Sequence, residues 1–201
     1  MSAIPKPHKL TTIEYLAIEE KAEFKSEYYN GEMFATAGAN EKHNFVNENL
    51  VLEVGSRLKG GPCRTVSRDM RMKVEETGLY TYPDMMIFCG KPEYDSLNKN
   101  TLINPAVVFE VLSQSSENYD RGAKFRMYQK RLSIREIVLV SQDQPLIQVF
   151  TRQPDETWLL TTFDDMTGNF SLLTLPVSVP MVDVYRDVEF ASQESSEPER
   201  Q

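Results

Sequence analysis

Val107-Val108-Phe109-Glu110-Val111-Leu112 is the most apolar run in the chain, and a single acidic residue interrupts it. A run of this kind predicts a central β-strand with both faces buried. An isolated ionised carboxylate in such a strand would cost several kcal/mol unless something paired with it. Glu110 therefore marks the middle of the fold and predicts a cation beside it.

The segments on either side of this strand predict further elements. Pro83 opens a shorter strand over residues 82–89, and residues 64–75 alternate between apolar and polar as a half-exposed strand does. After the central strand, the sequence favours a helix, a second buried strand and three strands of a C-terminal antiparallel meander, at residues 119–132, 136–140, 146–152, 157–163 and 170–175.

The N-terminal part predicts two helices and a hairpin. Helical spacing over residues 11–23 begins at a threonine cap, with Glu14 placed for a capping box. Asn30-Gly31, between two strand-like runs, is a strong signal for a tight hairpin. A second helix over residues 41–58 is expected to bury Phe45, Leu50, Val54 and Leu58. This order predicts an α/β fold with a mixed central sheet flanked by helices.

The length and the net charge of the chain limit the classes of function that it can have. The 201 residues predict one domain over residues 11–190, with an N-terminal extension (1–10) and a disordered acidic tail (191–201). The net charge of -8 does not suggest a protein that grips nucleic acid electrostatically. No membrane span or signal peptide is expected, and the protein is predicted to be cytoplasmic. Cys63 and Cys89 are expected to be free thiols.

Two acids and a lysine predict a hydrolytic centre. Asp84 follows Pro83 at the mouth of a strand and could share a metal with Glu110 if the two strands are neighbours. Carboxylates with a backbone carbonyl and waters suit Mg²⁺. Lys124 lies in the next helix, four residues before Tyr128, and could orient a metal-bound water or neutralise charge on a phosphate oxygen.

Four stretches in this order resemble the Uma restriction endonuclease family of the PD-(D/E)xK nuclease superfamily: Tyr82-Pro83-Asp84, Asn104-Pro105 with Phe109-Glu110-Val111-Leu112-Ser113, Tyr119-Asp120-Arg121-Gly122-Ala123-Lys124-Phe125 and Ser141-Gln142-Asp143. The resemblance covers about residues 10–187. It implies a restriction-endonuclease-like fold and cleavage of DNA phosphodiesters with Mg²⁺ or Mn²⁺. It implies Asp84 and Glu110 as metal ligands and catalytic acids, and Glu27 as an early glutamate that completes the site.

This sequence departs from the usual pattern at the lysine. The superfamily lysine stands two residues after the second acid, where this chain has Leu112. By resemblance, Lys124 takes its role from the following helix.

Simpler interpretations remain open for each residue. Asp84 could cap a turn, Glu110 could pair with Arg121 or Arg126, and Lys124 could be solvated. Glu27 could be a strand-surface charge, and His43 is left outside the metal shell. Basic residues that could contact a phosphate backbone, or be merely solvated, are Arg71, Lys73, Arg121, Arg126, Lys130, Arg131 and Arg135.

Three functions follow from these patterns. The first is a Mg²⁺-dependent endodeoxyribonuclease. The alternatives are a catalytically idle nuclease-fold module for binding or assembly, and a hydrolase of small phosphoesters, which an acidic surface would tolerate better than DNA. A homodimer held by apolar surface on the meander is compatible with the first.

Overall fold

The computed structural model describes residues 9–36, 38–67 and 69–190. Its helices are α1 (Thr12–Glu19), α2 (Glu41–Leu58), α3 (Glu117–Tyr119), a π-helical turn (Asp120–Lys124), α4 (Phe125–Tyr128) and α5 (Met181–Val184). Residues 1–8 of the predicted extension and the predicted tail over residues 191–201 lie outside the described residues.

The central sheet contains six strands: β3 (Cys63–Ser67), β6 (Met85–Cys89), β9 (Val107–Leu112), β10 (Glu136–Ser141), β11 (Ile147–Arg152) and β12 (Trp158–Phe163). Their order is β12-β11-β10-β9-β6-β3. β9 and β10 are parallel, whereas the other neighbours are antiparallel. All residues of β9 and β10 are buried. The predicted mixed central sheet, with β9 at its middle, is confirmed.

Side chains of β9 alternate between two apolar cores. Val107, Phe109 and Val111 pack on the side that α2 covers. Val108 and Leu112 pack on the other side, against the short helix α4. Since alternate residues of a strand share a face, Glu110 lies on the α4 side. Helices therefore flank the sheet on both faces, as predicted.

A second sheet lies beside the first and carries the N-terminal hairpin. It contains β1 (Ser26–Tyr29), β2 (Glu32–Ala35), β4 (Arg71–Val74), β5 (Leu79–Thr81), β7 (Tyr94–Asp95) and β8 (Asn98–Leu102), in the order β2-β1-β5-β4-β8-β7. The hairpin turn falls at Asn30-Gly31, both with positive φ (51° and 86°), so this prediction is confirmed.

The single strand predicted over residues 64–75 is wrong. β3 and β4 belong to different sheets, and a turn closed by the Met70 N–H on the Ser67 carbonyl separates them. The apolar residues Val66, Met70, Met72 and Val74 all stand at even positions, so the sequence pattern runs through the break. Arg71, predicted on an exposed face, is buried and donates to Thr101 Oγ1 at 3.0 Å.

The helices agree with the prediction in part. α2 has the predicted bounds, and α1 begins after the Thr11 cap with its capping box to Glu14 but ends at Glu19. Phe45 is 37% exposed and Val46 is buried in its place. The predicted helix over residues 119–132 is interrupted by the π-helical turn and ends at Tyr128.

The two cysteines form a disulfide, which corrects the prediction of free thiols. Cys63 and Cys89 are cross-strand partners on β3 and β6, 26 residues apart in the sequence. Direct opposition in an antiparallel pair brings their side chains together. Sequence spacing does not show this neighbourhood, because it depends on which strands pair.

The C-terminal antiparallel strands take two places. β11 and β12 continue the central sheet, while β13 (Asn169–Ser171) pairs with β14 (Ser178–Pro180) in a hairpin sheet of its own. Phe170, Val179 and α5 pack into the core beneath α2. Among the described residues, no helix has the length and apolar character needed to cross a membrane.

Candidate active site

Asp84 and Glu110 lie side by side on one face of the central sheet. Met85 pairs with Phe109 and Met86 with Val108 across β6 and β9. Continuing this register by one pair places Asp84, just before β6, opposite Glu110. Directly opposed residues of an antiparallel pair project to the same face. The neighbouring strands that the shared-metal hypothesis required are therefore present.

The Asp84 carboxylate is held from both sides. Its Oδ2 accepts a hydrogen bond from the Val111 backbone N–H at 2.8 Å and lies 3.3 Å from His43 Nε2. The first contact locks Asp84 to the strand that carries Glu110. His43, which the sequence left outside the metal shell, projects from α2 and contacts Asp84.

Glu110 is 4% exposed and has two partners. Its Oε1 accepts from the Tyr128 hydroxyl at 2.5 Å and lies 3.0 Å from Lys124 Nζ. Burial raises the pKa of Glu110 well above its ordinary value; Lys124 opposes the rise, and the charges of Asp120 and Asp84 add to it. The predicted simple alternative, a salt bridge to Arg121 or Arg126, is not what the structure shows.

Lys124 is the centre of the cluster. Its side chain is buried, and Nζ lies 3.0 Å from Glu27, 3.0 Å from Glu110 and 3.3 Å from Asp120. Burial alone would lower its pKa, but the attraction of Glu110, Tyr128, Glu27 and Asp120 outweighs burial and holds the pKa well above the ordinary value. The alternative of a solvated surface lysine is excluded by this geometry.

Glu27 reaches the cluster from the second sheet. Its Oε1 accepts from Thr81 Oγ1 at 2.5 Å, and its Oε2 accepts from the Tyr119 hydroxyl at 3.0 Å. With its ion pair to Lys124, Glu27 joins the hairpin to the π-helical turn. All four site residues predicted from the sequence are thus brought together.

Four further residues belong to this cluster. Asp120 precedes Lys124 by four positions, and Tyr128 follows it by four. Helical spacing predicts that Tyr128 shares a face with Lys124, but the sequence indicates no role for either Asp120 or Tyr128. Tyr119 and His43 arrive from neighbouring positions that only the tertiary fold reveals. Burial and Glu110 raise the Tyr128 pKa, so its hydroxyl stays a donor at neutral pH.

None of the seven basic residues that could contact a phosphate backbone, or be merely solvated, lines the cavity beside the cluster. Lys73 pairs with Asp95, Arg121 with Glu117, and Arg131 with Glu75 and Glu76. Three others are exposed but do not line the cavity beside the cluster: Arg126, Lys130 and Arg135.

The cluster forms one wall of a cavity of about 830 Å³. Asp84, Glu110, Glu27 and Lys124 line it together with aromatic side chains, of which Phe24 is the most exposed. A polar cavity of about 400 Å³ adjoins it, with Gln142 and Asp143 in its lining, and the two share Gly38, Ser113 and Ser115. The acidic cluster is therefore open to a ligand.

The donor set fits a hard divalent cation. Glu27, Glu110 and Asp120 surround the Lys124 ammonium, and Asp84 lies opposite Glu110, so the cluster holds four carboxyl groups but only one lysine. Within the described residues, the structure records no hydrogen bond to Asp84 Oδ1 or Glu110 Oε2. No group of three or more His, Cys, Asp and Glu in that part of the chain is arranged as a metal site. Mg²⁺ commonly takes only one or two carboxylates and keeps several waters.

The sheet order and this cluster define a restriction-endonuclease-like α/β protein. The chain belongs to the Uma2 family, described as "Putative restriction endonuclease", whose family model matches residues 13–184. This confirms the resemblance found in the sequence.

Two proteins of Synechocystis sp. are similar along most of their length. The uncharacterized protein slr1290 is 31% identical over 182 residues, which cover 90% of this chain and 94% of that protein. The uncharacterized protein sll1609 is 34% identical over 156 residues, covering 76% and 86%.

A crystal structure from Anabaena variabilis has the same fold. It is described as a "putative nuclease belonging to DUF820" and aligns with a TM-score of 0.70 at 18% identity. The alignment covers 86% of this chain and 95% of that one. At this identity the comparison supports the fold alone.

Proposed function

We propose that this protein is a metal-dependent endonuclease that hydrolyses phosphodiester bonds in DNA. One observation carries the proposal: Asp84, just before β6, and Glu110, on β9, project side by side next to the buried cation of Lys124. Membership of the restriction endonuclease family supports the reaction class. The metal, the substrate and the residue roles are parts of the proposal.

Asp84 and Glu110 would hold Mg²⁺, or Mn²⁺, through the oxygens that make no protein hydrogen bond. Bound there, the ion would supply a more acidic water and balance charge on a phosphate oxygen. The Val111 N–H fixes the Asp84 carboxylate, and the Tyr128 hydroxyl fixes that of Glu110. Both acids are therefore preorganised by the chain itself.

Lys124 would act as a hydrogen-bond donor. Its ammonium carries three N–H groups and is surrounded by carboxylates that favour the charged form. A charged lysine can orient an attacking water or stabilise negative charge on phosphate, but it cannot accept a proton. Glu27 would position this ammonium, since it holds Nζ and the Tyr119 hydroxyl at once.

The test is cleavage of plasmid DNA in Mg²⁺ or Mn²⁺ by the parent protein, by Asp84→Ala and by Glu110→Ala. Each variant should lose about 10²-fold or more in rate, because it removes part of the charge-stabilising centre. Asp164→Ala, which removes an exposed carboxylate outside the cavity, is the matched control. Circular dichroism should show all variants folded. If Asp84→Ala or Glu110→Ala cleaves as fast as the parent, the assignment is wrong.

A specific observation favours the idle-module alternative. Glu27, Glu110 and Asp120 all pair with Lys124, so the cluster could be a self-contained ion network that stabilises a scaffold. Calorimetric titration with Mn²⁺ separates the two functions, because a scaffold needs no saturable metal site. Parallel assays on DNA and on a chromogenic phosphodiester would identify a hydrolase of small phosphoesters.

We also propose a homodimer in the cytoplasm. Leu159 and Leu160 are exposed on β12, the edge strand of the central sheet, where a second copy could cover them. Light scattering of the parent and of Leu160→Glu tests the dimer. Cell fractionation tests the location, because a reducing cytosol disfavours a disulfide such as Cys63–Cys89. Recovery of the protein outside the cytosolic fraction would contradict this proposal.

A further inference from the structure

Exposed aromatic side chains are concentrated at the mouth of the active-site cavity. Within residues 9–36, 38–67 and 69–190, six aromatic side chains are exposed by more than a third of their surface, and four of them line this cavity: Phe24, Tyr29, Phe34 and Tyr119. Phe24 is 81% exposed. Isolated exposed apolar residues are ordinary, but clustering at one cavity marks a binding surface.

Two of these aromatic residues, Tyr29 and Phe34, lie on the N-terminal hairpin and project toward the acidic cluster. Phe34 is the direct cross-strand partner of Glu27, and Tyr29 lies two residues after Glu27 on β1. All three therefore project from the same face of the hairpin. Glu27 reaches Lys124 at 3.0 Å, so Phe34 and Tyr29 stand along the same approach to Lys124. Tyr119 touches the cluster directly through its hydrogen bond to Glu27.

The charges of the cavity do not suit a duplex. Five acidic side chains line it, namely Glu23, Glu27, Asp84, Glu110 and Asp120. Of its two lysines, Lys124 is enclosed by carboxylates and Lys25 pairs with Asp69. A duplex presents its phosphates outward and keeps its bases stacked inside, so it is bound mainly through basic side chains. A single strand offers base faces, which stack on aromatic rings with little dependence on sequence.

The adjoining cavity is polar and could accept the polar edge of an unpaired base. Its lining includes Asn40, Gln114 and Asp143, whose side chains carry hydrogen-bond donors and acceptors.

We propose that the cavity binds single-stranded nucleic acid, with unpaired bases stacked on Phe24, Phe34 and Tyr119 beside the acidic cluster. Cleavage of the bound strand rests on the proposed function, whereas binding of the strand does not. This inference deepens that function by naming the substrate class: unpaired strands, or the frayed and looped parts of a duplex.

Binding is tested by fluorescence anisotropy with a labelled DNA strand of about 12 nucleotides, a length that spans several stacked bases. The competitors are a DNA hairpin whose double-stranded stem contains the same sequence, and a mononucleotide. Titrations run in Ca²⁺, which takes the same oxygen ligands as Mg²⁺, and again in EDTA, and gels check that the DNA is intact. Phe24→Ala and Phe34→Ala should each weaken single-strand binding at least about fivefold. Tyr94→Ala, an exposed aromatic outside the cavity, should leave it unchanged.

The outcomes separate this inference from the proposed function. The inference would be overturned if the protein does not bind the single strand, or if both phenylalanine variants bind it as tightly as the parent does. It would also be overturned if the duplex or the mononucleotide binds as tightly as the single strand. Mg²⁺-dependent plasmid cleavage that needs Asp84 would leave the proposed function standing in each case. Aromatic-dependent strand binding without any cleavage would instead overturn the nuclease and leave a strand-binding module.

Discussion

Replacing Lys124 with methionine should lower the free energy of unfolding more at neutral pH than at acid pH. The substitution keeps most of the side-chain volume but removes the one ammonium that Glu27, Glu110 and Asp120 share. Truncating one partner of a buried ion pair leaves the other charge uncompensated, which destabilises by about 3–5 kcal/mol.

Proton uptake gives a second route to the magnitude. The variant can relieve its excess charge by binding one proton at a buried carboxylate. For a carboxylate with an ordinary pKa of about 4.3, protonation at pH 7 costs about 3.7 kcal/mol. At pH 5 the same step costs about 1 kcal/mol. We therefore expect a loss of about 3–4 kcal/mol at pH 7 that shrinks to about 1 kcal/mol at pH 5.

Urea unfolding in EDTA, followed by circular dichroism, measures the loss at both pH values. For a chain of this size the neutral-pH loss corresponds to a melting temperature lower by about 6–16 °C. Lys130→Met is the matched control, because Lys130 is exposed and outside the cluster; it should shift stability by no more than about 0.5 kcal/mol. A loss for Lys124→Met below about 1 kcal/mol at pH 7, or one that does not shrink with acid, would refute the buried-cation picture.

Two other perturbations probe the same framework. Because the folded-state pKa of Glu110 is raised, the stability that Glu110 contributes is present below about pH 4.5 and is lost as pH rises through the raised pKa. The Glu110→Gln variant should not show this loss, so its stability in EDTA relative to the parent should be higher at pH 8 than at pH 5. A difference in stability that is the same at both pH values would contradict the raised pKa. Cys63→Ser should lower the free energy of unfolding by about 3.5 kcal/mol, a loss that follows from the 26-residue separation of the two cysteines. Dithiothreitol should cause the same loss in the parent and have no effect on the variant. If the oxidised parent and the variant are equally stable, the disulfide does not form.

The sequence predicted those parts of the site that local periodicity determines. A continuous apolar run placed Glu110 in a strand with two buried faces, and its parity with Val108 and Leu112 decides the face that it shares with Asp84. Helical spacing placed Lys124 and Tyr128 together, and both contact Glu110. In each case neighbours along the chain contain the information, so the prediction needed no knowledge of which elements pair.

Three of the missed features depend on pairing between distant elements: the break between β3 and β4, the disulfide and the contact of His43 with Asp84. Alternation continues from β3 into β4, although the two strands belong to different sheets. Cys63 meets Cys89 only because β3 lies against β6. His43 reaches Asp84 because α2 packs across the sheet, and its place in the sequence gives no sign of this contact. Local pattern does not contain such information, since the same period fits several pairings.

The acidic character of this protein and its proposed substrate can be reconciled at the site itself. Outside the cavity, basic side chains such as Arg126 and Lys130 are exposed, but the net charge of the chain is -8, so long-range attraction for a polyanion is weak. At the cluster, Asp84 and Glu110 would repel a phosphate until a divalent cation offsets their charge. Aromatic stacking does not need that offset, because base faces are uncharged. Strand binding through Phe24 and Phe34 should therefore persist in EDTA, while close approach of the phosphate to Lys124 should require the metal.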